Sequence, residues 1–415
     1  MMTRGKTMPM VPQQPHASPP GPMGRATVLA AATLTIMAAA IIAPSLPAMQ
    51  RAYTGTPGVE VLVQLTLTIT SLAIAVSAPA AGLVADRFGR RPVLVTGLVL
   101  YTAAGTAALY VGDLRLLLVT RALLGVAVGG IMTAIGAMIT DWFDGQRRTW
   151  YLGLQQAFAS AGGIVFLPLA GLLAESDYRA PAWTYAVAIV IVPFAALAIP
   201  GSGRAVPAPG MAADPATPAV RGRRRVPAGV LPVYALALAA TLVFFLAPTQ
   251  LPFLLEDFGV GPAVTGLVIA GSTLAGAVGA LVFPALRKRL GGPQISTASV
   301  ALLSVGWLVI GTAGSTALVA AGLLVGGVGV GLAVPNLNLR LAELAPPENR
   351  GGVLSGLVTA VFLGQFLSPL VAHPLIEVSG VAGTFTWTGI AGAAGVIAAT
   401  VHLVQPSPRV KEQIR

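Results

Sequence analysis

The stretch GLVADRFGRRPVL, from Gly82 to Leu94, sets Asp86 among Arg87, Arg90 and Arg91 between two long apolar runs. The chemistry open to these residues is electrostatic. The arginines can hold a loop on one side of a membrane, Gly82 permits close helix approach, and Asp86 can sit at the positive end of a helix. Arg121, with Gly125 four residues on, lies in RALLGVAVGG, well inside an apolar run. A membrane-buried arginine is costly unless it meets water or a partner. Two placements follow: Arg121 faces a central cavity, or it snorkels to the surface.

The remaining polar groups of the apolar runs are uncharged. Gln64, Gln155, Gln156, Gln250, Asn336, Asn338 and Gln365 can bond a cargo or a neighbouring helix. With Phe244, Phe245 and Phe362 they describe a mostly apolar cavity with a few donors, suited to lipophilic or amphipathic compounds. His373 can titrate near neutral pH, although a helix-end histidine is the plainer reading. Enzyme signatures are missing: there is no GxSxG, no HExxH and no complete P-loop. Cysteine is absent as well, which excludes disulfides and thiolate metal sites, and no cofactor is expected.

The elements that must position these residues are apolar helices. The chain is 55% hydrophobic and 9% charged with a mean hydropathy of +0.82, against about 25% charged in soluble domains. Apolar runs fall at about 27–49, 59–84, 92–112, 114–140, 148–174, 182–200, 229–254, 263–285, 295–314, 316–340, 352–374 and 382–404, each long enough to span a bilayer. The expected fold is therefore an all-α membrane protein of twelve transmembrane helices in two six-helix, pseudo-symmetric bundles. Residues 1–25 read as a disordered tail, 26–200 and 229–405 as the two bundles, 201–228 as a Pro/Ala/Gly-rich linker, and 406–415 as a second tail.

All but Arg51, Arg115, Arg121 and Arg179 of the 25 Lys and Arg residues fall on one side of this arrangement, whereas the acidic residues divide evenly. By the positive-inside bias both termini and the linker are cytoplasmic. The basicity thus orients the chain in a bilayer and does not signal a nucleic-acid partner. The halves also echo each other: GLVADRFGRRPV after the second run answers PALRKRLGGPQI after the eighth, and DWFDGQRR after the fourth answers ELAPPENRGG after the tenth. Asp86 becomes Lys288 in the second copy, so the two loops are not equivalent. Such parallel repeats place a site at the interface of two bundles.

With these features the sequence resembles the major facilitator superfamily. The signature loop of that family is matched by Gly82, Asp86, Arg87, Phe88, Gly89, Arg90 and Arg91. The resemblance implies alternating access, a gating loop here, and a contact from Asp86 to the helix starting near Gly351 in the other half. Arg121 and Gly125 match a fourth-span pattern of drug exporters implicated in proton transfer. Gly153 and Gly162, followed by Pro168 and Gly171, partly match the fifth-span antiporter pattern and imply a kink there. The implied function is proton-coupled efflux of drug-like molecules by a bacterial inner-membrane monomer, powered by the proton gradient. No Asp or Glu lies deep in any run, so an importer or uncoupled facilitator of a small metabolite is the alternative, and a membrane scaffold a more distant one.

Overall fold

The computed structural model describes residues 19–200, 229–345 and 350–404. Eleven of its apolar segments are long enough to cross a membrane. They are α1 (Pro22–Ala52), α2 (Val59–Phe88), α3 (Arg90–Leu109), α4 (Leu114–Trp142), α5 (Gly145–Ala174), α6 (Ala180–Ala198), α7 (Val230–Asp257), α8 (Pro262–Arg287), α9 (Gly292–Gly311), α10 (Thr316–Leu344) and a final segment of 50 residues. At 1.5 Å per residue that last segment is more than twice the thickness of a hydrocarbon core. It divides at Gly380, whose φ of 70° leaves the helical region and which a side chain would strain. The two pieces, 350–379 (α11) and 381–404 (α12), complete the twelve helices. Among the described residues there is no strand.

The expected runs and the observed helices agree to within a few residues, with one correction at the start. Helix α1 begins at Pro22 and not after residue 25, because proline fits the first helical turn, where its missing N–H leaves no intrahelical bond unmade. The rest of the first tail (1–18), the linker (201–228) and the second tail (406–415) lie outside the described residues. Helices α1–α6 form one bundle and α7–α12 the other. Within each, backbones approach through small residues: in α10, a Cβ on Gly327 would lie 2.6 Å from Ser272 O of α8, and one on Gly329 2.7 Å from Ser299 O of α9. GGVGVG is therefore a packing surface.

Two helices are interrupted in the same way. The regular turns of α1 end at Ala40, and those of α7 end at Phe244. Each end lies four residues before a proline, Pro44 and Pro248, and a second proline follows at Pro47 and Pro252. A proline removes its own N–H and crowds the carbonyl four residues back. Proline alone does not suffice, since the helical turns of α5 run unbroken through Pro168. A pair only three or four residues apart is what distinguishes α1 and α7, since α11 stays helical through Pro369 and Pro374, five apart. These segments, APSLP and APTQLP, are a third echo between the halves.

Candidate functional site

The end of the molecule carrying the Asp86 loop is called the basic end, and the opposite one the far end. The bundles meet along α2 against α11 and α5 against α8, and the interrupted parts of α1 and α7 touch. At the far end Arg51, after α1's proline pair, forms an ion pair with Glu256, after α7's. These two residues occupy the same position in the repeat, four after Pro47 and four after Pro252. Glu175 Oε1 accepts a hydrogen bond from the Ala263 amide at 3.2 Å. Deeper, Gln64 Nε2 donates to Gln250 Oε1 at 3.4 Å. Near mid-depth Ser71 Oγ donates to Gln365 Oε1 at 2.8 Å. Among the described residues Gln64 Oε1, Gln250 Nε2 and the hydroxyl of the buried Ser45 in the α1 interruption have no hydrogen-bond partner.

Glycine sharpens the contrast between the ends. Toward the far end a Cβ on Gly266 would lie 2.5 Å from Leu167 O of the other half, and one on Gly171 would meet Pro262 O. At the basic end Gly136, Gly153 and Gly352 face open space, and Gly82 has only Thr133 of its own half at 3.9 Å. Among the described residues the bundles are joined at the far end, and these basic-end glycines meet nothing from the other half.

This bears on the gating loop. Gly82 makes no close helix approach in this state, a correction to the expectation from sequence. Asp86 is exposed and pairs with Arg90, whose Nε also reaches Asp141 of α4 at 3.2 Å. Arg91 donates to the Ala196 carbonyl of α6, and Arg87 sits 5.6 Å over the Phe88 ring. Every partner belongs to the first bundle. Gly89, at φ 96°, makes the turn into α3. In the second bundle the corresponding loop holds Arg287 to Glu343 of α10 at 3.4 Å.

Arg121 neither snorkels nor faces the space between the bundles. It is 1% exposed, and the small space beside it is lined only by first-bundle residues, among them Met49, Tyr53, Tyr178 and Arg179. Its guanidinium stands 5.1 Å over the Tyr185 ring, which packs edge-on against Tyr101. Tyr101 and Tyr185 donate their hydroxyls to Leu34 O and Ala38 O of α1, at 3.1 and 2.8 Å. Among the described residues Arg121 Nε and Nη1 lack hydrogen-bond partners, and no carboxylate pairs with Arg121. The adjoining volume is about 10 Å³, the lower limit for one water. Arg179, in the far-end connection, closes this space with Tyr178; its Nε bonds the Tyr178 hydroxyl at 2.9 Å, which raises the guanidinium pKa. Gly125, one turn from Arg121, lets α4 press against the Thr70 carbonyl of α2.

Of the cavity candidates, Gln64, Gln250 and Gln365 lie between the bundles. Phe245 is buried at the α7 interruption, and Phe362 is half-buried on α11. Phe244 stacks on Trp307 of α9, inside the second bundle. Asn336 is a correction: its Nδ2 bonds Gly292 O and Ser296 Oγ at 3.0 and 2.9 Å, so it ties α10 to α9 and does not face a cargo. Asn338 bonds its own helix at Val334 O. Gln155 is half-buried and Gln156 exposed on the basic half of α5, without hydrogen bonds among the described residues. Gly162 packs α5 on Thr33 of α1, within the first bundle. His373 faces Glu377 one turn on, at 3.4 Å. The sequence reading missed Ser71, Ser45, Glu175 and the Arg51–Glu256 pair. Only that pair carried a signal, its repeat position.

A sequence profile of the Major Facilitator Superfamily matches residues 28–250 and 233–415. The chain belongs to that superfamily. It is a transporter and not an enzyme. Among relatives in the superfamily, it is 25% identical over 388 residues to the tetracycline resistance protein, class C, of Escherichia coli, covering 91% of this chain and 94% of that protein. It is 26% identical over 364 residues to the uncharacterized transporter YhhS of Escherichia coli, 82% of each chain. Solved structures of a D-xylose–proton symporter (TM-score 0.72, 15% identity, 91% of this chain and 96% of that one) and of the nucleoside transporter NupG (0.71, 12%, 91% and 99%) share the fold.

Proposed function

We propose that this secondary transporter exports lipophilic or amphipathic small molecules in exchange for protons, with the basic end in the cytoplasm of a bacterial cell and the monomer as the working unit. The observation that carries the reading is the chemistry between the bundles. Gln64, Gln250, Ser71 and Gln365 offer uncharged donors and acceptors amid apolar walls, and the buried Arg121 is enclosed elsewhere. Such a surface suits a large, weakly polar cargo better than an anion or a sugar. The full-length likeness to a tetracycline resistance protein adds support for efflux.

In this reading Arg121 is the coupling residue. A permanent charge in an enclosed pocket lined by Tyr53, Tyr178 and Arg179, with two unpartnered donors and room for one water, stabilises a neighbouring hydroxide or deprotonated group and so biases where a proton can rest. The Asp86 loop is the latch of the alternate state: when the basic end closes, Asp86 leaves Arg90 and meets the start of α11, whose positive dipole end favours a carboxylate. A second reading, uncoupled or inward transport, is favoured by the lack, among the described residues, of a carboxylate partner for Arg121.

Proteoliposomes loaded with tetracycline or a lipophilic dye, with a pH gradient imposed and then collapsed, decide between them. Uphill movement only under the gradient, abolished by Arg121→Ala, is the expected result. Equal rates of equilibration in both conditions make the protein a facilitator and overturn the coupling role of Arg121.

A further inference from the structure

A cavity of 400 Å³ lies at the basic end of the second bundle, walled by Leu236 of α7, Ser296, Thr297 and Val300 of α9, Arg340 of α10 and Val396 of α12. No residue of the first bundle contributes, so it is separate from the space between the bundles. Arg340 is half-buried and, among the described residues, has neither an ion pair nor a hydrogen bond. The nearest acid in sequence, Glu343, is engaged by Arg287. Ser296 Oγ accepts from Asn336 Nδ2, which leaves its own proton to give. A narrow apolar cleft adjoins, sharing Leu236, Ser296 and Val300 and continuing deeper to Leu303.

We propose that this cavity is a binding site for an anionic phospholipid of the surrounding bilayer. An unpaired guanidinium beside the Ser296 hydroxyl recognises a phosphate through charge-assisted hydrogen bonds, while the Thr297 hydroxyl gives its own proton to Pro293 O at 3.0 Å. The aliphatic wall runs from that point toward mid-membrane, the direction a lipid chain takes. A cluster of basic residues at the same end concentrates anionic headgroups there. A soluble anion would satisfy Arg340 but leave Leu236, Val300 and Val396 uncovered. The site is independent of the cargo and of the direction of transport.

The test uses the full chain in detergent micelles, titrated with phosphatidylglycerol, phosphatidylcholine or inorganic phosphate, and reads retained lipid by native mass spectrometry together with the thermal unfolding midpoint. Phosphatidylglycerol is expected to be retained and to raise the midpoint. R340Q should weaken retention by about tenfold or more, the scale of one charge-assisted bond. R289Q removes an exposed charge at the same end and should leave retention unchanged. Val300→Trp fills the cavity without touching any charge and should also lose the lipid, which keeps the test decisive if R340Q does not fold. Equal loss in R289Q, equal retention of phosphatidylcholine, or full competition by inorganic phosphate would overturn the proposal.

Discussion

The far end and the basic end of this transporter are built from different materials. The far end is closed by groups that fit one another, amide against amide at Gln64 and Gln250 and glycine against carbonyl at Gly266, and a hydroxyl-to-amide bond between Ser71 and Gln365 carries the join on to mid-depth. At the basic end each bundle holds its own charges, Asp86 and Asp141 with Arg90 in one, Glu343 with Arg287 in the other. Close packing falls off over a fraction of an ångström, whereas charges act over several. A surface of the first kind reports whether the bundles are apposed. A surface of the second kind can exchange partners as they rock, which is what a latch needs.

The largest effect that could break this contrast is steric. Gly266→Leu puts a side chain where the Leu167 carbonyl stands, an overpacking cost of about 1–3 kcal/mol. That corresponds to a shift of about 5- to 150-fold against the state joined at the far end. Because the chain has no cysteine, cysteines placed at Arg51 and Glu256 are the sole thiols, and their cross-linking rate reads the closure directly. The rate should fall by that factor in Gly266→Leu and stay unchanged in Gly153→Leu, which faces open space. Equal effects would mean that the bundles also touch near Gly153. Next in size, Asp86→Asn should lower transport by at least about tenfold if the carboxylate meets a helix start in the alternate state, at about 1 kcal/mol for the dipole and more for the bond. Far-end cross-linking should be preserved. Lys288→Ala, at the matching place in the second half, should be milder, and equal losses would remove the asymmetry between the loops.

Most of the fold was legible because membrane helices must be long, apolar and internally bonded, and those demands are written in composition. The twelve runs, the halves and the packing role of GGVGVG follow from that. The site was legible only where it is charged. The loop from Gly82 to Arg91 and the lone Arg121 stand out against an apolar background, but the direction in which Arg121 points depends on the rotation of α4, which no local pattern fixes. Ser71 could not be told from other span hydroxyls, since most of them bond a carbonyl of their own helix, as Thr66 does with Val63. Asn336 shows the converse error, a polar residue in a span that serves its neighbour helix.

Between the large and small effects lies the mid-depth bond. Removing either partner, Ser71→Ala or Gln365→Leu, should cost about 0.6 kcal/mol, the average for hydrogen bonds across membrane helices. That is roughly a threefold fall in the far-end cross-linking rate. The double variant should be no worse than the worse single one if the two side chains act only on each other. Strict additivity would show instead that each bonds something else.

The smallest effect belongs to the most conspicuous contact. Arg51 and Glu256 join the bundles across the repeat, yet their side chains are 63% and 43% exposed. Water and salt screen such a pair, and ordering two long side chains offsets part of the attraction, so its contribution is at most about 0.5 kcal/mol. Arg51→Ala should therefore leave transport within about twofold of the parent and shift the unfolding midpoint by no more than about 1–2 °C. The shift should shrink further as ionic strength rises. A larger and salt-insensitive loss would mean that Arg51 acts through its packing at the α1 interruption, and the far end would then owe part of its closure to charge after all.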